Sequence, residues 1–286
     1  MPELPEVETV RRGLAPIMEG AVFSSVELRR PDLRFPLPHK FEKRLAGAGI
    51  ETLDRRGKYL IATLSTGESL IMHLGMSGRF TISAGRVSQP GRYVQAHDCD
   101  PMHDHVVFHV KGRSPALITY NDPRRFGFMD LVSTAALEKS KHFQSMGPEP
   151  LGNGFSPLTL NAALKGKAAP IKAALLDQRV VAGLGNIYVC EALYRARISP
   201  RRKAASVAGK RGERLYTAIV GVLREAIEAG GSSLRDFASA EGGLGYFQHR
   251  FGVYDREGQS CLSCDGMIAR LVQGGRSTFF CGQCQR

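Results

Sequence analysis

The first residues after Met1 are Pro2 and Glu3, and together they could carry out covalent chemistry. Removal of Met1 would leave Pro2 with a free secondary amine, and an unprotonated amine is a nucleophile toward an aldehyde-level carbon. An α-amino group titrates closer to neutrality than a lysine, so a useful fraction is neutral at physiological pH. Glu3 can donate or accept a proton beside it. A Met-Pro start is also common without such chemistry, so the rest of the chain has to decide between the two interpretations.

Four cysteines near the C-terminal end form a second chemical pattern, Cys261-x2-Cys264-x16-Cys281-x2-Cys284. Two C-x2-C pairs at this spacing are typical of a zinc ribbon, in which the four sulfurs surround the metal tetrahedrally. Two disulfides are the alternative, and a cytosolic location disfavours them. Because four cysteine ligands leave no position for water, we predict one structural Zn²⁺.

A hairpin is predicted between the two cysteine pairs. The segments 268–272 and 277–280 are typical strands, and Gly274 and Gly275 between them are a turn signal. Arg276 would then lie near the tip of a hairpin stiffened by the metal. An arginine there is either simply solvated or in position to contact a nucleic acid.

The composition favours a polyanionic partner. The chain has 286 residues and a formal net charge of +12, and its pI is about 9.7. Such an excess favours nucleic acid first and an anionic membrane surface second, with an ordinary basic surface as the alternative. No apolar run is long enough to span a bilayer and no signal-peptide pattern is present, so we predict a cytoplasmic protein without a membrane partner.

The chain divides into three predicted regions, which makes the fold class multi-domain α+β. Residues 1–135 contain a helix, on which Val7, Val10 and Leu14 share one face, and short strands typical of an antiparallel β-sandwich. Residues 136–245 have a helical pattern, and residues 246–286 contain the zinc ribbon. The predicted strands are 22–28, 59–64, 69–73, 79–83, 105–110, 116–121 and 128–132.

Two features of this organisation concern single segments. Residues 84–102 are rich in Gly, Pro, Ser and Gln and are predicted to form a long loop. In the helical region, the clearest helix is predicted over 210–229. Another helix is predicted to begin at Ile187, and Asn186 is expected to cap it. In the alternative interpretation, the glycine turn at 183–185 and the N-terminus of this helix present backbone amide groups to a DNA phosphate.

A series of motifs in order along the chain resembles the formamidopyrimidine-DNA glycosylase family. They are 2–9, 56–59, 73–78, 103–105, 121–127, 183–188, 245–247 and the zinc ribbon. The resemblance implies an N-terminal β-sandwich, a helix–two-turn–helix domain and a zinc finger. It also implies a DNA-repair enzyme that removes oxidised purines such as 8-oxoguanine from double-stranded DNA and acts as a monomer.

The resemblance implies four catalytic residues. Pro2 would attack C1′ of the sugar as the base leaves, and Glu3 would move protons at the ribose. Lys58 would donate a proton during β-elimination, and Arg276 would act at δ-elimination by holding the phosphate of the lesion. These steps would give the enzyme AP-lyase activity in addition to base removal, with Glu6 supporting the site.

The resemblance also implies DNA contacts. Met76, Arg124 and Phe126 would fill the space left by the flipped nucleotide, with core packing as the alternative for the two apolar residues. The other implied DNA-binding residues are His103, Lys167 and Asn186. Lys165 is the alternative to Lys167, and residues 242–250 match a flexible loop around the extruded base.

Two other functions remain open at this point. An endonuclease VIII-like glycosylase would act on oxidised pyrimidines with the same nucleophile and finger. The Glu3-Leu4-Pro5 opening and the set of Met76, Arg124 and Phe126 favour the purine enzyme. A non-catalytic zinc-finger DNA-binding protein would bind lesion DNA without forming a covalent bond to it.

Overall fold

The computed structural model of the chain describes residues 2–84, 100–232 and 245–286. The chain divides into two compact units. The first comprises Met1–Gln144 and Gly230–Tyr246, and the second comprises Ser145–Ala229 and Phe247–Arg286. Among the described residues, no helix has both the length and the apolar character needed to cross a membrane.

The first unit is the predicted antiparallel β-sandwich with a helix at its start. Its described strands form two antiparallel four-stranded sheets, one in the order β1-β6-β7-β5 and the other in the order β2-β3-β4-β8. The elements are α1 (Leu4–Met18), β1 (Val22–Leu28), α2 (Phe41–Leu45), β2 (Ile50–Arg56), β3 (Tyr59–Leu64), β4 (Glu68–His73), β5 (Arg79–Ala84), β6 (Asp104–Lys111), β7 (Ala116–Asn121) and β8 (Phe128–Ser133).

The core of this unit lies between the sheets and α1. Phe23 of β1 and Phe108 of β6 face inward with ring centroids 5.4 Å apart, and Leu60 and Met72 of the other sheet belong to the same buried cluster. The helix α1 buries Leu14 and its apolar neighbours at three- and four-residue spacing against this core. The predicted fold class is therefore confirmed for this part of the chain.

The strand β2 was not predicted, and its sequence explains why. Its register shifts between Ile50 and Thr52, so the pairing with β3 contains an irregularity. Only Ile50 and Leu53 of the strand are buried. Because a bulge breaks the two-residue alternation of burial, the apolar pattern of this segment does not indicate a strand.

The second unit is helical and ends in a two-stranded hairpin. Its elements are α3 (Pro157–Leu164), α4 (Ile171–Leu176), α5 (Asn186–Arg195), α6 (Lys210–Glu228), β9 (Ile268–Gln273) and β10 (Arg276–Cys281). A turn at 178–180 and a bend at 181–183 join α4 to α5. The apolar stripe of α6, which includes Leu215, Ile219 and Val222, is fully buried.

The predicted start of α5 is wrong by one residue. The helix begins at Asn186, and Gly185 takes the capping position without any side-chain hydrogen bond. The Asn186 side chain instead donates from Nδ2 to the carbonyl of Ser277, 2.9 Å away. A contact with a residue 91 positions later outweighs a local cap, and sequence pattern cannot reveal it.

Two sequence-based predictions concern residues that lie partly outside the described part of the chain. Most of the predicted loop 84–102 falls in the gap 85–99. Residues 242–244 of the predicted loop 242–250 also lie outside it, whereas the remainder includes a short 3₁₀ turn at Phe247–Arg250.

Candidate active site and nucleic-acid interface

The residues next to Pro2 are buried and fixed at the start of α1. Pro2 is buried, and Glu3 and Glu6 are only 3% and 2% exposed. Glu6 Oε2 accepts the backbone N–H of Glu3 at 2.9 Å, and the two residues form a reciprocal capping box. The residue that follows Pro2 therefore has a fixed backbone position.

The other oxygen of Glu6 holds a distant part of the same unit. Oε1 accepts the backbone N–H of Ser232 at 2.8 Å and its hydroxyl at 3.0 Å. Gly231 has φ +82° and passes so close that a Cβ there would lie 3.0 Å from Glu6 Oε1. A glycine suits this position both for its backbone angle and for the close approach. Glu6 thus joins the N-terminal residues to the 231–232 turn.

Lys58 lies in the turn between β2 and β3, and only 7% of it is exposed. Arg55 donates from Nη1 to the carbonyl of Gly57 at 2.9 Å and from Nε to Glu8 Oε2 at 3.2 Å. Burial alone would raise the pKa of Glu8, but hydrogen bonds from Arg11 and other arginines lower it below its usual value. The ionised Glu8 therefore ties the Lys58 turn to α1.

His73 is an unpredicted member of this neighbourhood. Its pKa is lowered to about 4, first by burial and then by the positive charge of Lys58. A neutral ring fits its contacts, because His73 Nδ1 accepts the backbone N–H of Gly75 at 3.1 Å. The ring also lies 4.9 Å from that of Tyr59, its partner across β3 and β4. Nothing local in the sequence separates it from an ordinary strand histidine.

Four predicted DNA contacts lie on three loop segments of the sandwich. Arg124 is exposed and its guanidinium lies 4.9 Å from the centroid of the Phe126 ring, a cation–π distance. Phe126 is 41% exposed, so core packing is wrong for this residue. Met76 is half-buried. His103 ends a 3₁₀ turn at Pro101–His103 and is also half-buried.

In the second unit, the Asn186 side chain contacts the carbonyl of Ser277, the residue that follows Arg276. Arg276 is exposed at the start of β10, directly after the Gly274-Gly275 turn. The carbonyl of the next residue, Ser277, accepts Asn186 Nδ2 at 2.9 Å and Lys172 Nζ at 2.9 Å. Lys172 is fully buried. Sequence reasoning missed it, since a lysine on a short helix is usually solvated.

The two lysine candidates of the helical unit lie just after the C-terminal end of α3. Lys165 occupies the C-cap position directly after α3 and is exposed. Lys167 lies two residues further on and is half-buried, and its backbone N–H donates to the carbonyl of Leu164 at 3.2 Å. Both side chains therefore remain candidates for a phosphate contact.

The four C-terminal cysteines form one cluster, with all their sulfurs within 4.8 Å of one another. The distances are 3.8 Å for Cys261–Cys284 and 3.5 Å for Cys264–Cys281. Tetrahedral Zn–S bonds of about 2.3 Å place sulfurs about 3.8 Å apart, whereas disulfide sulfurs are about 2.05 Å apart. Backbone N–H groups donate to three of the sulfurs, and such outer contacts orient metal ligands. The cluster fits zinc and excludes the disulfide alternative.

Comparison with protein families covers nearly the whole chain. The formamidopyrimidine-DNA glycosylase N-terminal domain matches residues 1–129, and the H2TH domain of the same family matches residues 146–238. A zinc finger found in FPG and IleRS matches residues 258–286. Together with the cysteine cluster, this match confirms the prediction of one structural Zn²⁺.

Individual relatives agree with these matches. Formamidopyrimidine-DNA glycosylases of Ruegeria pomeroyi and of a Caulobacter species are each 58% identical over 288 residues and aligned over 100% of both chains. The MutM (Fpg) crystal structure from Thermus thermophilus has a TM-score of 0.84 at 40% identity, covering 99% of this chain and 98% of that one. A Lactococcus lactis Fpg complex with DNA containing an abasic site has a TM-score of 0.84 at 34% identity, with 99% coverage of both chains. The chain belongs to the formamidopyrimidine-DNA glycosylase family.

Proposed function

We propose that this protein is a base-excision-repair DNA glycosylase that removes oxidised purines, including 8-oxoguanine and formamidopyrimidines, from double-stranded DNA. Its full-length relatives bear the formamidopyrimidine-DNA glycosylase name. Similar solved structures hold DNA with an abasic site or an N7-benzyl-Fapy-dG lesion. The observation that carries the proposal is the fixed N-terminus, where Glu6 holds the residue that follows Pro2. Because the proposed substrate is DNA, we place the enzyme in the cytoplasm. A monomer is sufficient to bind a single damaged site on the DNA.

The proposed reaction begins with the secondary amine of Pro2. Its nitrogen forms a bond to C1′ while the bond from C1′ to the damaged base breaks, and the base leaves with the bonding electrons. Glu3, buried beside Pro2, moves a proton at the ribose as the ring opens. Because a secondary amine has no second proton to lose, the resulting Schiff base keeps its positive charge. This cationic nitrogen withdraws electrons and acidifies the C2′ hydrogen.

Strand cleavage follows from that acidity and gives AP-lyase activity. Loss of the C2′ proton breaks the bond from C3′ to its phosphate, with Lys58 as proton donor, and a second elimination releases the 5′-phosphate. Arg276 is exposed at the end of its hairpin. A guanidinium stays charged and is a poor proton donor, so we assign Arg276 to holding the phosphate at this second step.

The other predicted residues bind DNA in this proposal. Met76, Arg124 and Phe126 enter the space left by the flipped nucleotide, and the exposure of the last two supports this role. His103, Lys167 and Asn186 contact the DNA backbone, for which the net charge of +12 supplies the attraction. In this proposal, residues 1–135 form the catalytic region, residues 136–245 form the DNA-binding region and residues 246–286 form the zinc finger.

Borohydride trapping tests the proposal. With duplex DNA that carries 8-oxoguanine, we expect a covalent adduct whose crosslink maps to Pro2 by mass spectrometry. A tag that blocks the N-terminus should abolish trapping but leave DNA binding intact, and the same tag at the C-terminus is the matched control. Binding without trapping would indicate a non-catalytic DNA-binding protein. Faster cleavage of thymine glycol than of 8-oxoguanine would indicate the endonuclease VIII-like alternative.

A further inference from the structure

Three segments of the first unit that carry proposed DNA contacts converge on Asp122. These segments are 74–78, 100–105 and 122–127. Asp122 has no exposed surface, so its carboxylate cannot itself reach DNA. Its contacts with all three segments suggest that it acts through them.

The Asp122 carboxylate is surrounded by hydrogen-bond donors. Oδ1 accepts the hydroxyl of Ser77 at 2.6 Å. Oδ2 accepts the backbone N–H of Gly127 at 2.8 Å and the hydroxyl of Tyr120 at 3.2 Å. An ionised carboxylate only accepts hydrogen bonds, so it matches this set of donors, whereas an amide of the same shape would turn an NH₂ group toward one of them.

Ser77 relays this contact between the two loops. Its hydroxyl donates to Asp122 and accepts the backbone N–H of Arg124 at 3.2 Å. The loops also touch directly, because a Cβ added at Gly75 would clash with the backbone of Phe126 and Gly127. The loop of Met76 is therefore locked to the loop of Arg124 and Phe126.

The third segment is held by the backbone of Asp122 and by Asn121. The N–H of Asp122 donates to the carbonyl of His103 at 3.0 Å, and its carbonyl accepts His105 Nε2 at 2.9 Å. Asn121 is also fully buried, and its Nδ2 donates to the carbonyl of Asp100 at 3.0 Å. The turn that ends at His103 is thus fixed to the same point.

We propose that Asp122 is a positioning residue for base extrusion. Its carboxylate holds the Met76 loop and the Arg124–Phe126 loop at a fixed separation, so that the side chains enter the duplex together. This inference rests on the roles proposed above for Met76, Arg124 and Phe126. Preorganised loops avoid the cost of ordering at the moment of binding, so loosening them should slow extrusion specifically.

Asp122→Asn and Ser77→Ala test the proposal, with Ser69→Ala as the matched control. Ser69 is also fully buried and shares a hydrogen bond of 2.9 Å with Thr134 Oγ1, away from the loops. For both test variants, single-turnover excision of 8-oxoguanine from a duplex should fall by about 10-fold or more. Borohydride trapping on an abasic site in single-stranded DNA, which needs no extrusion, should change by less than about 3-fold. Ser69→Ala should match wild type in both assays.

A double-mutant cycle separates positioning from general destabilisation. If Ser77 acts through the loop side chains, Ser77→Ala should lower the single-turnover excision rate by less than about 2-fold when Met76 and Arg124 are already alanine. Fluorescence of 2-aminopurine beside the lesion should show slower extrusion in Asp122→Asn, or in Ser77→Ala if the former does not fold. Equal losses on duplex and single-stranded DNA, or independent effects in the cycle, would overturn the proposal. A wild-type protein that neither excises nor traps would instead refute the proposed function, and this inference with it.

Discussion

Replacing Glu6 with glutamine tests whether this carboxylate fixes the N-terminal nucleophile. Glu6 is 2% exposed and accepts hydrogen bonds from Glu3 N–H, Ser232 N–H and the Ser232 hydroxyl at 2.8–3.0 Å. Glutamine keeps one acceptor oxygen, and in either orientation its NH₂ group faces a backbone N–H. Hydrogen bonds to charged groups contribute about 1.5–3 kcal/mol each, so losing one and weakening the others should lower the free energy of unfolding by about 2–4 kcal/mol.

The catalytic consequence should exceed the effect on DNA binding. If the freed N-terminus shifts Pro2 by about 1 Å, borohydride trapping should slow by about 10- to 100-fold. The dissociation constant for lesion DNA should change by less than about 3-fold, because the phosphate contacts remain.

Glu19→Gln is the matched control, since exposed Glu19 accepts the backbone N–H of Leu53 at 2.9 Å near the other end of α1. This substitution should lower the free energy of unfolding by about 1 kcal/mol or less and leave the rate of borohydride trapping unchanged. If Glu6→Gln is trapped by borohydride at the wild-type rate, the reasoning is refuted.

Glu191→Gln should lower the free energy of unfolding in urea by about 2–4 kcal/mol, because this buried carboxylate accepts three successive backbone N–H groups, at residues 252–254. Its control, Glu225→Gln, breaks an exposed ion pair with Arg195 and should cost about 1 kcal/mol or less. The pKa of His73 is about 4 in the folded protein and 6.5 in the unfolded chain. Only the unfolded chain binds the extra proton between these values. The contribution of neutral His73 to the free energy of unfolding is therefore fully present above about pH 6.5 and falls by up to about 3 kcal/mol toward pH 4. Urea titrations of His73→Asn should lack this part of the pH dependence. Chelation of zinc should abolish DNA binding while circular dichroism shows a folded β-sandwich, and normal cleavage by chelated protein would contradict a structural role for the metal.

Much of the fold could be predicted from the sequence, because most elements follow local apolar patterns. The strands Tyr59–Leu64 and Ala116–Asn121 have the predicted bounds, and the helix Lys210–Glu228 ends one residue before its prediction. The strand Ile50–Arg56 could not be found in this way, since its bulge disrupts the alternation. Its position depends on pairing with β3, which is a tertiary effect.

The candidate site was predictable where motifs carry it, and less so where distant contacts support it. The zinc cysteines could be selected from their spacing, whereas the chemistry of Pro2 made it only one candidate until the ordered motifs of the family supported it. Lys172 could not, because its partner Ser277 lies 105 residues away. A buried lysine and a solvated one look alike in sequence, and only the carbonyl and hydroxyl groups around Nζ identify the buried one.

Three buried carboxylates have a common physical role in the described structure. Glu6, Asp122 and Glu191 are at most 2% exposed, and each accepts at least one backbone N–H from a turn or loop. Irregular segments lack strand partners for these donors, and an unpaired buried N–H is costly. A carboxylate has enough lone pairs to satisfy several donors at once. Each carboxylate can therefore hold an irregular segment in one conformation. Neutral substitutions at these positions should consequently displace loops before they disrupt the apolar core, so losses of activity should exceed losses of secondary structure.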